Sequence, residues 1–189
     1  MAGRRTDTRE RIQQVALDLF VEHGYEKTSL REIAEHLGVT KAALYYHFRT
    51  KEDIVHSLIE DIGTAVDEII EWARAHGEPA TVRAEVLRRF SRLVQGQFGP
   101  VMRFMQDNQP ALKELQAGHV LAERMKGLFA LVVPDGAGTE DKLRARLALV
   151  ALVLGNNPQF LEEEPAADSG EVALRVALEL ASPRPAAGT

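Results

Sequence analysis

The chain contains no cysteine. That excludes a thiolate nucleophile, a cysteine-based zinc site and a disulfide framework, and it fits a reducing compartment. Long apolar runs are absent too. The densest, Leu147 to Leu154, is far shorter than the roughly 20 residues needed to cross a bilayer, and the N-terminal MAGRRTDTRERIQQ has no apolar leader core. A soluble cytoplasmic protein is the expectation. Strand-type alternation is nearly missing, and so are enzyme signatures: there is no His-Glu-x-x-His, no Gly-x-Ser-x-Gly and no phosphate-cradling glycine loop. Gly136-Ala137-Gly138 lacks the rest of a dinucleotide motif, and Asp53, His56 and Glu60 read as a solvated helical face rather than metal ligands. No catalytic residue, cofactor or metal is implied.

Excess positive charge is lacking as well. The formal charge is −5, whereas affinity for a polyanion comes largely from Lys and Arg. The deficit is unevenly placed: through Asp53 basic and acidic residues balance one for one, so it lies wholly downstream. Any nucleic-acid surface must be local and N-terminal.

What is present is helical periodicity, and the expected fold is all-α. Ile12, Val15, Ala16, Leu19 and Phe20 form one apolar stripe on a first helix that ends at Gly24. Ser29 to Glu32 is a capping box that opens a short second helix, stopped by Gly38. Thr40 is an N-cap for a third helix from Lys41 to about His47, and Thr50 to Asp53 starts a long fourth that runs to about His76. Further helices are predicted over residues 81–95, 101–107, 110–133, 142–160 and 170–181. The ends, up to about Asp7 and from Ser182, read as disordered.

Helices two and three have the spacing of a helix-turn-helix, with Ala34 small at the crossing, Gly38 in the turn, and Ile33, Leu37, Val39 and Leu44 as the small core. With Leu44 inward, Ala42, Ala43, Tyr45 and Tyr46 turn outward, bordered by Lys41 and His47. One tyrosine partly in the core is compatible with this spacing; both are not, because they sit about 100° apart. In a DNA major groove the phenols and lysine reach phosphates or base edges, the rings meet thymine methyls, and the alanines permit close approach. The first turn after Thr40 carries no carboxylate, which leaves the positive helix end open to a phosphate.

The stretch GYEKTSLREIAEHLGVTKAALYYHFRTKEDIV resembles the DNA-binding region of the tetracycline-repressor (TetR) family of transcriptional regulators, over roughly residues 8 to 60. The resemblance implies operator contacts from Thr40, Lys41, Tyr45, Tyr46, His47 and Lys51, with Arg31 a further phosphate candidate, and Ala42 and Ala43 complete the expected DNA-binding face by their position on the helix. Where the family has a threonine-rich start to helix two, this chain has Thr28 and Ser29 followed by Leu30. It also implies an N-terminal arm and helix-turn-helix domain over residues 1 to 53, a helical ligand-binding and dimerisation domain over 54 to 181, and a tail over 182 to 189. Arg4 and Arg5 are candidates for a minor-groove arm.

Downstream the reading is coarser. Leu147, Val150 and Leu154 make one stripe of a helix whose other side carries Leu149 and Leu152, and Val172, Val176 and Leu180 alternate with Leu174 and Leu178. Helices apolar on two sides point to a homodimer interface. Candidates for the lining of an apolar effector pocket are Trp72, Phe90, Phe98, Met102, Phe104, Met105, His119, Met125 and Phe129, with Asn156 and Asn157 supplying polar contacts. The expected partners are operator DNA, a second copy of the chain and a largely apolar small molecule, with no membrane. The expected function is a ligand-responsive repressor released from a palindromic operator by its effector. A helix-turn-helix regulator controlled by a partner protein, or lacking an effector, is the alternative, and a helical enzyme a distant one.

Overall fold

The structure is a computed structural model that describes residues 2–77, 79–108, 117–156 and 168–182. Among these residues every regular element is a helix: α1 (Ala2–His23), α2 (Leu30–Leu37), α3 (Lys41–His47), α4 (Lys51–Ala75), α5 (Pro79–Leu93), a π-turn (Val94–Phe98), α6 (Gly99–Asp107), α7 (Ala117–Val132), α8 (Thr139–Leu154) and α9 (Ser169–Ala181). None is long and apolar enough to cross a membrane. Past Ser182, the tail expected from sequence lies outside the described residues. The chain divides into two compact units, one of residues 1–62 and 100–121, the other of residues 63–99 and 122–189. α4 is a single helix with residues in both.

In the first unit, Ile12, Ala16, Leu17, Leu19 and Phe20 of α1 are buried with Ile33 and Ala34 of α2, Leu44 of α3, and Ile54, Val55 and Ile59 of α4. α1 starts at Ala2, so the stretch read from sequence as disordered is helical; no proline interrupts it. Periodicity also misses a polar seam. Gln13 is buried on α1, where its amide donates to Ser57 Oγ (2.9 Å) and to the Asp61 carboxylate of α4. A buried amide is stable only when so satisfied. Phe104 of α6 completes this core, stacked on Phe20 with ring centres 5.3 Å apart and 5.8 Å from Tyr25.

In the second unit, α8 packs chiefly on α9, and both meet α5. The crossing is lined by small side chains: Ala145 and Ala148 on α8 and Ala173 and Ala177 on α9 are buried, and a Cβ added at Gly155 would collide with that of Ala173. Close backbone approach turns Leu143, Leu147, Val150, Val172 and Val176 outward, and all five are exposed. The helix predicted to run to Gln95 instead passes into the π-turn at Val94, where Gly96 leaves helical angles (φ −89°, ψ −115°). Gly99 ends this turn; a Cβ there would lie 2.7 Å from the Val94 carbonyl oxygen.

Candidate nucleic-acid interface

Local chemistry builds the helix-turn-helix step by step. The Glu32 N–H donates to Ser29 Oγ (3.2 Å) and the Ser29 N–H to the Glu32 carboxylate (3.4 Å), a complete capping box at the start of α2. Its end is set by Gly38 in the left-handed conformation (φ 67°, ψ 27°), which suits a residue without Cβ, and the Val39 N–H closes on the Ala34 carbonyl at 3.0 Å. Thr40 then caps α3, accepting from the Ala43 N–H at 3.2 Å. Because Thr40 Oγ1 acts there as acceptor, its own O–H proton is available to a phosphate.

Leu44 is fully buried, and the opposite side of α3 is open. Lys41, Ala42, Ala43, Tyr45 and Tyr46 are exposed, Tyr46 at 67%, and His47 is half-buried. Neither tyrosine is in the core. The Lys41 ammonium lies 5.4 Å from the centre of the Tyr45 ring, and the Tyr46 and His47 rings meet edge to face at 5.3 Å. One short helix therefore offers two phenols, an ammonium and an imidazole around two alanines that leave room for a groove wall. Arg31 is exposed on α2 and held by Glu35 at 2.7 Å, which raises its pKa through that hydrogen bond and charge.

Lys51 is placed differently. Its side chain is only 20% exposed, and its ammonium donates to the Tyr25 carbonyl at 2.9 Å. Next to it the Tyr25 hydroxyl donates to the Glu52 carboxylate (2.9 Å). Burial pushes the Tyr25 pKa up, reinforced by that hydrogen bond and by the charges of Glu52 and Glu26. Burial alone raises the Glu52 pKa, but its own backbone N–H, Tyr25, Thr50 and Lys51 outweigh that effect and hold it below the usual value. The Arg49 and Thr50 N–H groups both donate to Asp53, and the Asp53 N–H returns to Thr50 Oγ1 (3.1 Å), so α4 starts with a reciprocal cap.

Residues 12–58 match the profile described as "Bacterial regulatory proteins, tetR family". That segment of the chain is thus similar to the TetR family. It is 40% identical over 83 residues to the HTH-type transcriptional regulator AcrR of Shigella flexneri, a match covering 43% of this chain and 39% of that protein. The chain thus spans less than half the length of this curated relative. Among solved structures, the TetR family regulator PfmR of Thermus thermophilus superposes with a TM-score of 0.63 at 25% identity, over 90% of this chain and 96% of that one. FadR of Bacillus subtilis, solved with stearoyl-CoA, shares the fold at a TM-score of 0.63 and 18% identity, over 92% and 97% of the two chains.

The other sequence-derived sites are scattered. Phe90 and Phe98 are buried against each other, ring centres 5.7 Å apart, as core of the second unit. Trp72, Met125, Phe129 and Asn156 are half-buried in the same unit; Asn156 donates to the Leu152 carbonyl (2.7 Å), and the Arg89 guanidinium sits 4.1 Å over the Trp72 ring. Met102 and Met105 are half-buried in the first unit, together with the fully buried Phe104. His119 lies on α7, and Asn157 falls outside the described residues. Of the interface candidates, Leu147, Val150, Val172 and Val176 are exposed, and Leu154 and Leu180 are half-buried.

Proposed function

We propose that the chain is a homodimeric transcriptional repressor that reads a palindromic operator through the outer face of α3. The observation that carries this reading is the concurrence, on one capped helix, of exposed Tyr45, Tyr46 and Lys41 around Ala42 and Ala43, inside the segment that matches the family. Arg31, Thr40 and His47 flank that face as phosphate donors. In this reading the tyrosines supply base-edge and methyl contacts and the lysine a phosphate or guanine contact.

A second copy docks through the exposed aliphatic face of α8 and α9, since an apolar patch at helical spacing on both partners suits a twofold interface. Two recognition helices must then sit about 34 Å apart, or a multiple, to enter successive major-groove turns. The effector is a largely apolar small molecule held in the second unit, with Trp72, Met125, Phe129 and Asn156 among its contacts. The stearoyl-CoA bound by FadR is a precedent for this class of ligand within the fold. Effector and operator are coupled by about 1 to 3 kcal/mol, typical of such linkage, and α4, which has residues in both units, is one covalent path.

The test is a mobility shift of the purified protein on DNA from immediately upstream of its own gene and its neighbours, with competitor DNA. A discrete complex at one inverted repeat, dissolved by a fatty acyl or similarly apolar compound, is the expected result. Binding that stays non-specific on every fragment and on selected random-sequence DNA would rule the reading out.

A further inference from the structure

Three oxygen atoms and an aromatic ring around the Lys51 ammonium set it apart from the other basic residues of the helix-turn-helix unit. Nζ donates to the Tyr25 carbonyl at 2.9 Å, lies 3.5 Å from the Glu26 carbonyl and 3.8 Å from the Glu26 carboxylate, and sits 4.2 Å from the centre of the Tyr25 ring. Tyr25 and Glu26 belong to the turn that follows α1, whose last carbonyls point along the negative end of that helix. An ammonium with such a set of neighbours has one of its three N–H donors and part of its charge engaged by its own protein. Lys41, by contrast, projects from the exposed face of α3.

We infer that Lys51 is a positioning residue, and that it governs sequence discrimination without touching DNA. It fastens the first turn of α4 to the turn between α1 and α2, and the neighbouring Glu52 repeats the tie through the Tyr25 hydroxyl at 2.9 Å. The same first turn holds the exit of α3, because Asp53 accepts from the Arg49 and Thr50 N–H groups at 3.0 Å each. Lys51 thus fixes where the recognition helix leaves its module relative to α1 and α2. Tyr25 is itself immobilised, edge to face with Phe20 at 5.1 Å and packed on Phe104. A loosened tie leaves the charge pattern of the DNA face intact and blurs the placement of Tyr45 and Tyr46. Phosphates tolerate that displacement, whereas base edges do not.

This inference rests on the DNA-binding reading above, and the test separates the two. A duplex is selected from a random-sequence pool with the full-length protein. Its affinity, and that of a scrambled duplex, is measured by fluorescence anisotropy across a salt series, well below the thermal midpoint. Lys51→Met keeps the stem and removes the charge; Lys51→Gln, which keeps a donor, serves if the first does not fold. Lys41→Ala is the direct-contact control. The expected result is a loss of about tenfold on the selected duplex, less than about twofold on the scrambled one, and an unchanged dependence of log affinity on log salt. Equal losses on both duplexes with the salt slope reduced by about one identify a phosphate contact and overturn the inference. Unchanged affinities with only a lowered midpoint overturn it too, leaving Lys51 a purely structural residue. Failure of the wild type to select any duplex overturns the DNA-binding reading itself, and this inference with it.

Discussion

The outer face of α3 and the outer face of α8 and α9 are both exposed, and they differ in what they expose. On α3 it is phenols, an ammonium and an imidazole around two alanines; on α8 and α9 it is leucine and valine, with Leu147 at 43% and Val176 at 39%. Polar hydrogen-bonding groups on a short helix suit a partner that is itself polar and charged. Aliphatic side chains at intervals of three and four residues gain nothing from water and suit a copy of themselves. The α3 face is held by capping bonds and the α8 and α9 face by close packing of alanines, so the two surfaces should fail independently when mutated.

The largest effect is expected at the aliphatic face. Leu147→Glu places a charge in the proposed twofold interface twice over, at about 3 kcal/mol or more for an unpaired buried charge. Sedimentation should show a dimer becoming a monomer, with little change in the helical signal. Leu44→Ala comes next: removing a fully buried side chain should cost about 2 to 5 kcal/mol of stability in denaturant titration, and abolish DNA binding by melting the module. Tyr46→Ala sharpens the contrast, since it should weaken binding to a selected operator by about 1 to 3 kcal/mol while leaving the denaturation midpoint in place. Ser29→Ala removes one half of the capping box and should cost about 1 kcal/mol of stability.

The smallest expected effect is a pH dependence. Glu52 has a lowered folded-state pKa, so its stabilising contribution is full above the unfolded carboxylate value of about 4.3 and is lost as pH falls through the lowered value. Acid unfolding of the wild type should therefore be steeper below about pH 4 than that of Glu52→Gln. Identical acid profiles would show that the Tyr25–Glu52 bond contributes nothing measurable.

The first unit is far more legible in the sequence than the second, for reasons visible at particular residues. Ser29, Gly38 and Thr40 act through partners three to five residues away, so their spacing alone reveals the capping box, the left-handed turn and the N-cap. The inward position of Leu44 likewise fixes the outward position of Tyr45 and Tyr46. Resemblance makes Lys51 a phosphate contact and hides its partners, because Tyr25 and Glu26 lie 26 and 25 residues away in the chain, a separation at which periodicity is silent. The burial of Gln13 is hidden for the same reason, since its partners Ser57 and Asp61 lie 44 and 48 residues on. In the second unit, α8 is apolar on two sides and gives no single face, and the π-turn at Val94 interrupts a run whose helical pattern continues past it. Phe90 and Phe98 show that an aromatic residue in such a helix reads equally as pocket or core; here they are core.

The central claim is that the outer face of α3 reads DNA sequence, and the most direct measurement is in vitro selection from a random-sequence duplex pool, run in parallel with wild type and Tyr46→Ala, followed by footprinting of the enriched duplex. Wild type is expected to enrich one inverted repeat, protected at two half-sites about one helical turn or a multiple apart, and Tyr46→Ala to enrich it weakly or relax it at defined positions. Enrichment of no sequence by the folded wild type, or of the same sequence equally well by Tyr46→Ala, would contradict the claim.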